Sequence, residues 1–104
     1  MFIWKEVENF VYNELRKNLQ KNLIYFYRTK SKAEIDFVIE NSYENYTIIE
    51  VKYKSKVKKP VIFNNFSKNY HTIKQIIITK DLLKYENNIY YLPACLLAFI
   101  DIKN

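Results

Sequence analysis

The sequence contains no glycine, and this absence excludes two common kinds of nucleotide-binding site. The P-loop and the dinucleotide fingerprint both need glycine where the backbone approaches phosphate. These residues therefore do not form a nucleotide-driven ATPase by themselves. The turns of the chain must instead rely on Asn, Asp, Ser and Lys.

Cysteine and long apolar segments are also scarce. Cys95 is the single cysteine, which excludes an internal disulfide and a zinc-finger ligand set, and its apolar surroundings predict a small core residue. The longest apolar run, residues 92–100, contains a proline and is shorter than the ~20 residues that span a bilayer. Residues 1–8 show no signal-peptide pattern. We therefore expect a cytoplasmic protein with no membrane association.

Apolar residues and positive charge are abundant. The 104 residues are 49% apolar, which predicts one globular domain over residues 1–104. The formal charge of +6 favours a polyanionic partner such as nucleic acid. A lysine-rich surface that only keeps the protein soluble explains the charge equally well.

The hydrophobic pattern predicts a helix, three strands, a second helix and two further strands. Apolar residues recur at helical spacing in the first segment: Trp4, Val7, Val11, Leu15 and Leu19. Strands are predicted at 23–28, 33–40, 46–53, 74–79 and 89–92, a helix at 61–70, and a loop or short helical turn at 81–88. Three strands in hairpin order, followed by a crossover into a buried strand, indicate an α/β fold with a mixed central sheet flanked by helices.

Two neighbouring strands carry acidic residues that can meet. Regular alternation puts Ile35 and Phe37 on one face of the strand at 33–40 and Asp36 on the other. The same rule puts Glu50 and Lys52 together on one face of the strand at 46–53. If these strands form a hairpin, the carboxylates of Asp36 and Glu50 converge.

Converging carboxylates repel each other unless a cation lies between them. Oxygen ligands with waters suit Mg²⁺ or Mn²⁺. A lysine beside such an ion, here Lys52, can orient a water molecule and offset the charge of a phosphate. The pattern is thus typical of phosphodiester hydrolysis, although alternating Glu and Lys on a solvated strand face is common by itself.

Glu8 is the fourth candidate. On a helical wheel it falls inside the apolar stripe, between Leu15 and Leu19. A carboxylate that faces a core is costly unless it is paired or binds a cation. The alternative is a position at the edge of the stripe, where Glu8 pairs with a lysine.

Other polar residues are less informative. A basic stretch follows the last acidic strand, and it either tracks a DNA backbone or is a solvated connector. It contains Lys54, Lys56, Lys58 and Lys59. His71 has no ligand partner nearby in sequence, which favours a surface or core histidine over a general base.

Four short runs together resemble a known nuclease superfamily. They are Glu8-Asn9-Phe10-Val11, Tyr27-Arg28-Thr29, Glu34-Ile35-Asp36-Phe37-Val38 and Ile49-Glu50-Val51-Lys52. In this order they resemble the PD-(D/E)xK nucleases. More narrowly, they resemble the nuclease-like domain of unknown function at the C-terminal end of many archaeal and bacterial AAA-type ATPases.

This resemblance implies a restriction-endonuclease-like αβββαβ core and a site at its centre. It implies that Asp36 and Glu50 ligate Mg²⁺ with the Val51 carbonyl, that Lys52 positions the attacking water, and that Glu8 reaches the metal through water. Arg28 matches a family position and could bind phosphate. Ile35 stands where the superfamily name has Pro, and the 104 residues include no ATPase module.

Two functions follow as hypotheses. The first is a metal-dependent DNA endonuclease, with a homodimer expected if it cuts two strands symmetrically. The second is a non-catalytic nucleic-acid-binding or regulatory module, a standalone relative of the ATPase-associated domain that an AAA-type ATPase recruits in trans. The intact set of Asp36, Glu50 and Lys52 favours the first.

Overall fold

A computed structural model describes residues 2–19, 23–31 and 33–99 of the chain. The elements, in chain order, are α1 (Phe2–Asn18), β1 (Ile24–Arg28), β2 (Glu34–Ser42), β3 (Asn45–Lys52), α2 (Val61–Asn69), β4 (Thr72–Thr79), β5 (Lys84–Glu86), β6 (Ile89–Pro93) and a 3-10 helix (Ala94–Phe99). No helix within these ranges has the length and hydropathy needed to cross a membrane.

The six strands form one mixed sheet in the order β1-β2-β3-β4-β6-β5. The first three strands pair antiparallel, as expected for consecutive hairpins. Helix α2 then returns the chain to the start of β4, which pairs parallel with β3 and with β6. A parallel pair needs such a crossover. The predicted α/β fold with a mixed sheet between helices is therefore confirmed.

Each face of the sheet is covered by its own hydrophobic cluster. The apolar stripe of α1 packs on one face, where Val11 and Leu15 are fully buried, while the side chain of Trp4 lies outside the described part. Helix α2 covers the other face with three buried residues: Ile62, Phe63 and Phe66. Strand β4 carries the continuous apolar run Ile76-Ile77-Ile78, and all three residues are buried because helices cover both faces of the sheet here.

A β-bulge makes the predicted common face of Ile35 and Phe37 wrong. The register runs from Tyr25↔Val38 to Tyr27↔Ile35, so that two residues of β2 lie opposite one residue of β1. As a result, Ile35 and Val38 both belong to the cluster under α2, although they are three positions apart. Asp36 and Phe37 lie between them, and Asp36 lines a cavity against α1.

Two further expectations are corrected. The segment predicted as a loop or helical turn contains strand β5, which pairs antiparallel with β6 at the edge of the sheet. Cys95 is exposed on the 3-10 helix and is not a core residue. Both errors have one reason: the pairing of β5 and the exposure of Cys95 depend on contacts with distant residues, which the local sequence does not reveal.

The tight turns place ordinary residues where glycine is usual. Asn87 and Asn88 connect β5 to β6 with φ of 54° and 67°, and Glu44 connects β2 to β3 with φ of 59°. Asparagine tolerates this left-handed region better than most residues. Glu44 is held there in part by its backbone N–H, which donates to Glu40 Oε2 at 3.3 Å.

The packing of α2 gives a first prediction. Phe63 is fully buried against the sheet, whereas its neighbour Val61 is 76% exposed. Phe63→Ala should lower the free energy of unfolding by about 3–5 kcal/mol, because it removes a buried ring and leaves a cavity. Urea denaturation followed by circular dichroism measures the loss. The control Val61→Ala should change stability by less than ~0.5 kcal/mol, and equal effects of the two would contradict this arrangement of α2.

Candidate active site

Strands β2 and β3 change their mode of pairing at one end of the hairpin. The backbone register runs from Ser42↔Asn45 to Phe37↔Ile49. Beyond it, the Asp36 N–H donates to Glu50 Oε1 at 3.0 Å, and the Val51 N–H donates to Asp36 Oδ2 at 2.8 Å. Each strand thus satisfies a backbone donor with a carboxylate from the other strand. This exchange fixes both acidic side chains.

The two carboxyl groups are in direct contact, and one of them is buried. Glu50 is only 6% exposed. Burial, the charge of Asp36 and a hydrogen bond between the two side chains raise the pKa of Glu50 to about 8. Two adjacent acids avoid repulsion by sharing a proton or a cation. Without a cation, Glu50 therefore keeps its proton at neutral pH.

Lys52 and Glu8 approach this carboxyl pair from different elements. The Lys52 Nζ lies 3.8 Å from Glu50 Oε2, and its side chain is 36% exposed. Glu8 is half-buried on α1. Burial, followed by the charge of Asp36, raises the pKa of Glu8, while the charge of Lys52 acts in the opposite direction. Asp36, Glu50, Lys52 and Glu8 are therefore close enough to act on one another electrostatically.

Two hollows lie on either side of the carboxyl pair. The larger, of about 580 Å³, is lined by Lys5, Glu8, Asn9, Tyr12, Phe26, Tyr27, Arg28, Glu34, Ile35, Asp36 and Phe37. The smaller, of about 330 Å³, is lined by Lys52, Lys54, Lys56, Val57 and Lys58. Asp36 faces the first hollow and Lys52 the second, and Glu50 is buried between them.

The remaining candidates occupy distinct positions. Arg28 lines the larger hollow and forms an ion pair with Glu34. Lys59 is exposed in the connector before α2. His71 is exposed, and its Nδ1 lies 2.6 Å from Asn45 Oδ1. Asn45 begins β3 and Lys52 ends it, so His71 lies at the far end of that strand from the acids.

Several residues of the larger hollow were not predicted. Lys5 could have been found, because it lies three positions before Glu8 and thus on the same side of α1. Phe26 gave no such signal, since an aromatic residue in a strand is more often a core residue. Its exposure beside the hollow was therefore not expected.

The donor atoms suit a hard divalent cation. No group of three or more His, Cys, Asp or Glu side chains in the described ranges is arranged to hold a metal. Each carboxylate of the pair nevertheless has a second oxygen besides the one that accepts a backbone N–H. Mg²⁺ is commonly bound by only one or two carboxylates, with waters completing its shell. Asp36 and Glu50 meet this requirement.

A family model described as "Domain of unknown function (DUF4143)" matches residues 5–97. The chain belongs to this family. The match includes Glu8, Asp36, Glu50 and Lys52, and it runs from the first turn of α1 into the 3-10 helix. No curated protein and no solved structure matches the chain. The function of this DUF4143 domain must therefore be argued from its site.

The raised pKa of Glu50 gives a second prediction, on stability. Below about pH 4.5 the carboxyl is protonated in both the folded and the unfolded chain. Between that pH and about 8, only the unfolded chain loses the proton. Without divalent cations, the DUF4143 domain should therefore lose stability as pH rises through this window. Scanning calorimetry in EDTA at pH 5 to 9 measures the effect.

Glu50→Gln removes the titrating proton and keeps an acceptor for the Asp36 N–H. This variant should have a flatter pH dependence, with a Tm at pH 8 at least ~5 °C above that of the wild type, because 1 kcal/mol shifts Tm by about 4–8 °C in a domain of this size. The matched control Glu86→Gln, on the exposed edge strand β5, should follow the wild type. A wild-type Tm that is unchanged from pH 5 to 8 would contradict the buried acid pair.

Proposed function

We propose that this DUF4143 domain is a metal-dependent DNA endonuclease of the PD-(D/E)xK type. The observation that carries the proposal is the pair of neighbouring carboxyl groups, Asp36 and Glu50, each of which accepts a backbone N–H of the other's strand. The Lys52 ammonium lies 3.8 Å from Glu50. Helix α1, which packs on the mixed sheet, also supports the assignment. It brings a further acid, Glu8, into the hollow that Asp36 lines.

Each residue has a role that its surroundings support. Asp36 and Glu50 would hold Mg²⁺ or Mn²⁺, which supplies Lewis-acid activation of a phosphate and a more acidic water when bound. Lys52 is cationic and partly exposed, and it would orient the water and offset the charge that develops on phosphate. Glu8 would accept a proton or a hydrogen bond at the edge of the site. The Val51 carbonyl stays a predicted ligand.

Positive charge lies on both sides of the acids. Lys5 and Arg28 line the larger hollow, and the lysine-lined smaller hollow begins at Lys52. Cationic side chains that can contact phosphates are therefore present in both hollows. This arrangement favours a nucleic-acid backbone as the substrate, in keeping with the formal charge of +6.

One observation favours the non-catalytic alternative. Both carboxylates already accept backbone N–H groups, so the pair also acts as a structural link between β2 and β3. A binding module could retain the acids for that reason alone. Association with an AAA-type ATPase in trans and formation of a homodimer stay predictions, and both are compatible with either function.

A cleavage assay tests the proposed function and gives the third prediction. The substrates are linear, flapped and four-way DNA, each with Mg²⁺ or Mn²⁺. The wild type should cleave at least one of them, and Asp36→Ala should reduce cleavage by at least ~10²-fold, because a metal ligand is lost. DNA binding by this variant should stay equal or become stronger, since a carboxylate near phosphate is removed. The control Asp81→Ala changes an exposed aspartate and should cleave normally.

Calorimetry with Mn²⁺ separates the two functions further. Asp36→Ala should weaken Mn²⁺ binding, while Lys52→Ala should leave it equal or tighter, because a neighbouring cation opposes metal binding. Lys80→Ala, at an exposed position, is the control for Lys52. If wild type and Asp36→Ala bind Mn²⁺ equally, the metal site is wrong, and the non-catalytic module becomes the better hypothesis.

The basic connector gives the fourth prediction. Changing the four lysines of the connector to Ala should weaken DNA binding by about tenfold and reduce its salt dependence, because fewer counterions are released. These are Lys54, Lys56, Lys58 and Lys59. A control with the same charge change replaces exposed lysines elsewhere, namely Lys17, Lys30, Lys68 and Lys84. Fluorescence anisotropy at several salt concentrations measures both. Equal losses in the two variants would assign the connector lysines to general surface charge.

A further inference from the structure

The mouth of the larger hollow carries an exposed aromatic ring beside the acidic site. Phe26 on β1 is 74% exposed, although its ring centroid lies only 6.1 Å from that of the buried Phe37. Phe37 in turn stacks with Tyr12 of α1 at 6.2 Å. These three rings, here called the aromatic row, all line the hollow that Asp36 faces.

Cations frame the aromatic row. Arg16 contacts the Tyr12 ring, with its guanidinium carbon 5.9 Å from the ring centroid. Lys5 and Arg28 line the hollow itself, and Arg28 retains 69% exposure of its side chain despite its ion pair. The hollow also contains three carboxylates, Glu8, Glu34 and Asp36, so the open aromatic face, with a few cations beside it, is the feature that favours an unpaired base.

The position of Phe26 favours an unpaired base as its ligand. Inside a duplex, each base face is already covered by its neighbours in the stack, so no face is available to an aromatic side chain. A ring beside a hollow stacks most readily on a base that has left the helix or was never paired. The volume of about 580 Å³ lies in the range of small-molecule sites and leaves room for a nucleobase.

We propose that the larger hollow is a binding site for unpaired bases, with Phe26 as the stacking residue, so that the substrate class is single-stranded or branched polynucleotide. The inference deepens the proposed function and rests on it for the chemistry at Asp36. The binding of bases by the hollow does not require cleavage and can be tested without it. Phe26 receives the base, while Lys5 and Arg28 contact the adjacent phosphates.

Equilibrium binding in EDTA tests the proposal, because no cleavage is then expected. Fluorescence anisotropy compares a labelled oligothymidylate of about twelve nucleotides with an abasic oligomer of the same phosphate number and with a duplex of the same length. An oligouridylate arm distinguishes RNA from DNA as the source of the bases. The wild type should bind the pyrimidine oligomers at least about fivefold more tightly than the abasic oligomer.

Phe26→Ala should weaken binding to oligothymidylate by about tenfold, the loss expected for one stacked base, and should change binding to the abasic oligomer by less than twofold. Phe26→Tyr keeps the ring and should bind like the wild type, which shows that the fold tolerates a change here. The control Tyr43→Ala removes a ring of similar exposure at the β2–β3 turn, and it should have no effect on either oligomer.

Three outcomes would overturn the inference. The first is equal binding of oligothymidylate by wild type and Phe26→Ala. The second is a wild-type preference for duplex over both pyrimidine oligomers. The third combines two results: light scattering shows a wild-type dimer that Phe26→Ala converts to a monomer, and the variant keeps its base-dependent binding. The exposed ring would then be a contact between two copies of the chain. If no cation supports cleavage but binding depends on Phe26, the proposed hydrolysis fails and this inference stands.

Discussion

The reciprocal hydrogen bonds between Asp36 and the end of β3 are the constraint on which the site depends. They replace the regular ladder where β2 and β3 part, and each uses a carboxylate to satisfy a backbone donor. Because both acids are held by the sheet itself, neither can turn away from the other. The cost of this arrangement is a buried Glu50 whose pKa is raised to about 8. The fold thus holds an unfavourable acid pair in place, which a divalent cation would relieve.

The bulge in β2 explains why the site reaches both sides of the sheet. It places Asp36 against α1 and Glu8, while Glu50 and Lys52 follow the regular alternation of β3. The acids therefore lie between two hollows of different character, one aromatic and one rich in lysine.

Local patterns predicted most of the fold, and long-range contacts decided the rest. The stripe of α1 and the alternation of Glu50 and Lys52 were predictable because helical and strand periods are properties of the segment itself. The face of Ile35 was not, because the bulge depends on the pairing of β2 with β1. Strand β5 has a polar, exposed sequence and owes its conformation to pairing with β6. The exposure of Phe26 likewise depends on which residues cover it in the folded chain, and no local pattern encodes that.

The turns at Glu44 and Asn87-Asn88 have a consequence for the unfolded chain. Since the sequence has no glycine, every residue carries a Cβ that limits its backbone freedom before folding begins. The denatured ensemble is therefore smaller than that of a chain with glycine at these turns, and less entropy is lost when the turns form. In exchange, the native state holds side chains in a left-handed region that costs about 1 kcal/mol per ordinary residue and less for asparagine. The free-energy cost of these hairpin turns therefore lies partly in backbone strain of the native state. With glycine at the same positions, it would lie in the larger conformational entropy lost on folding.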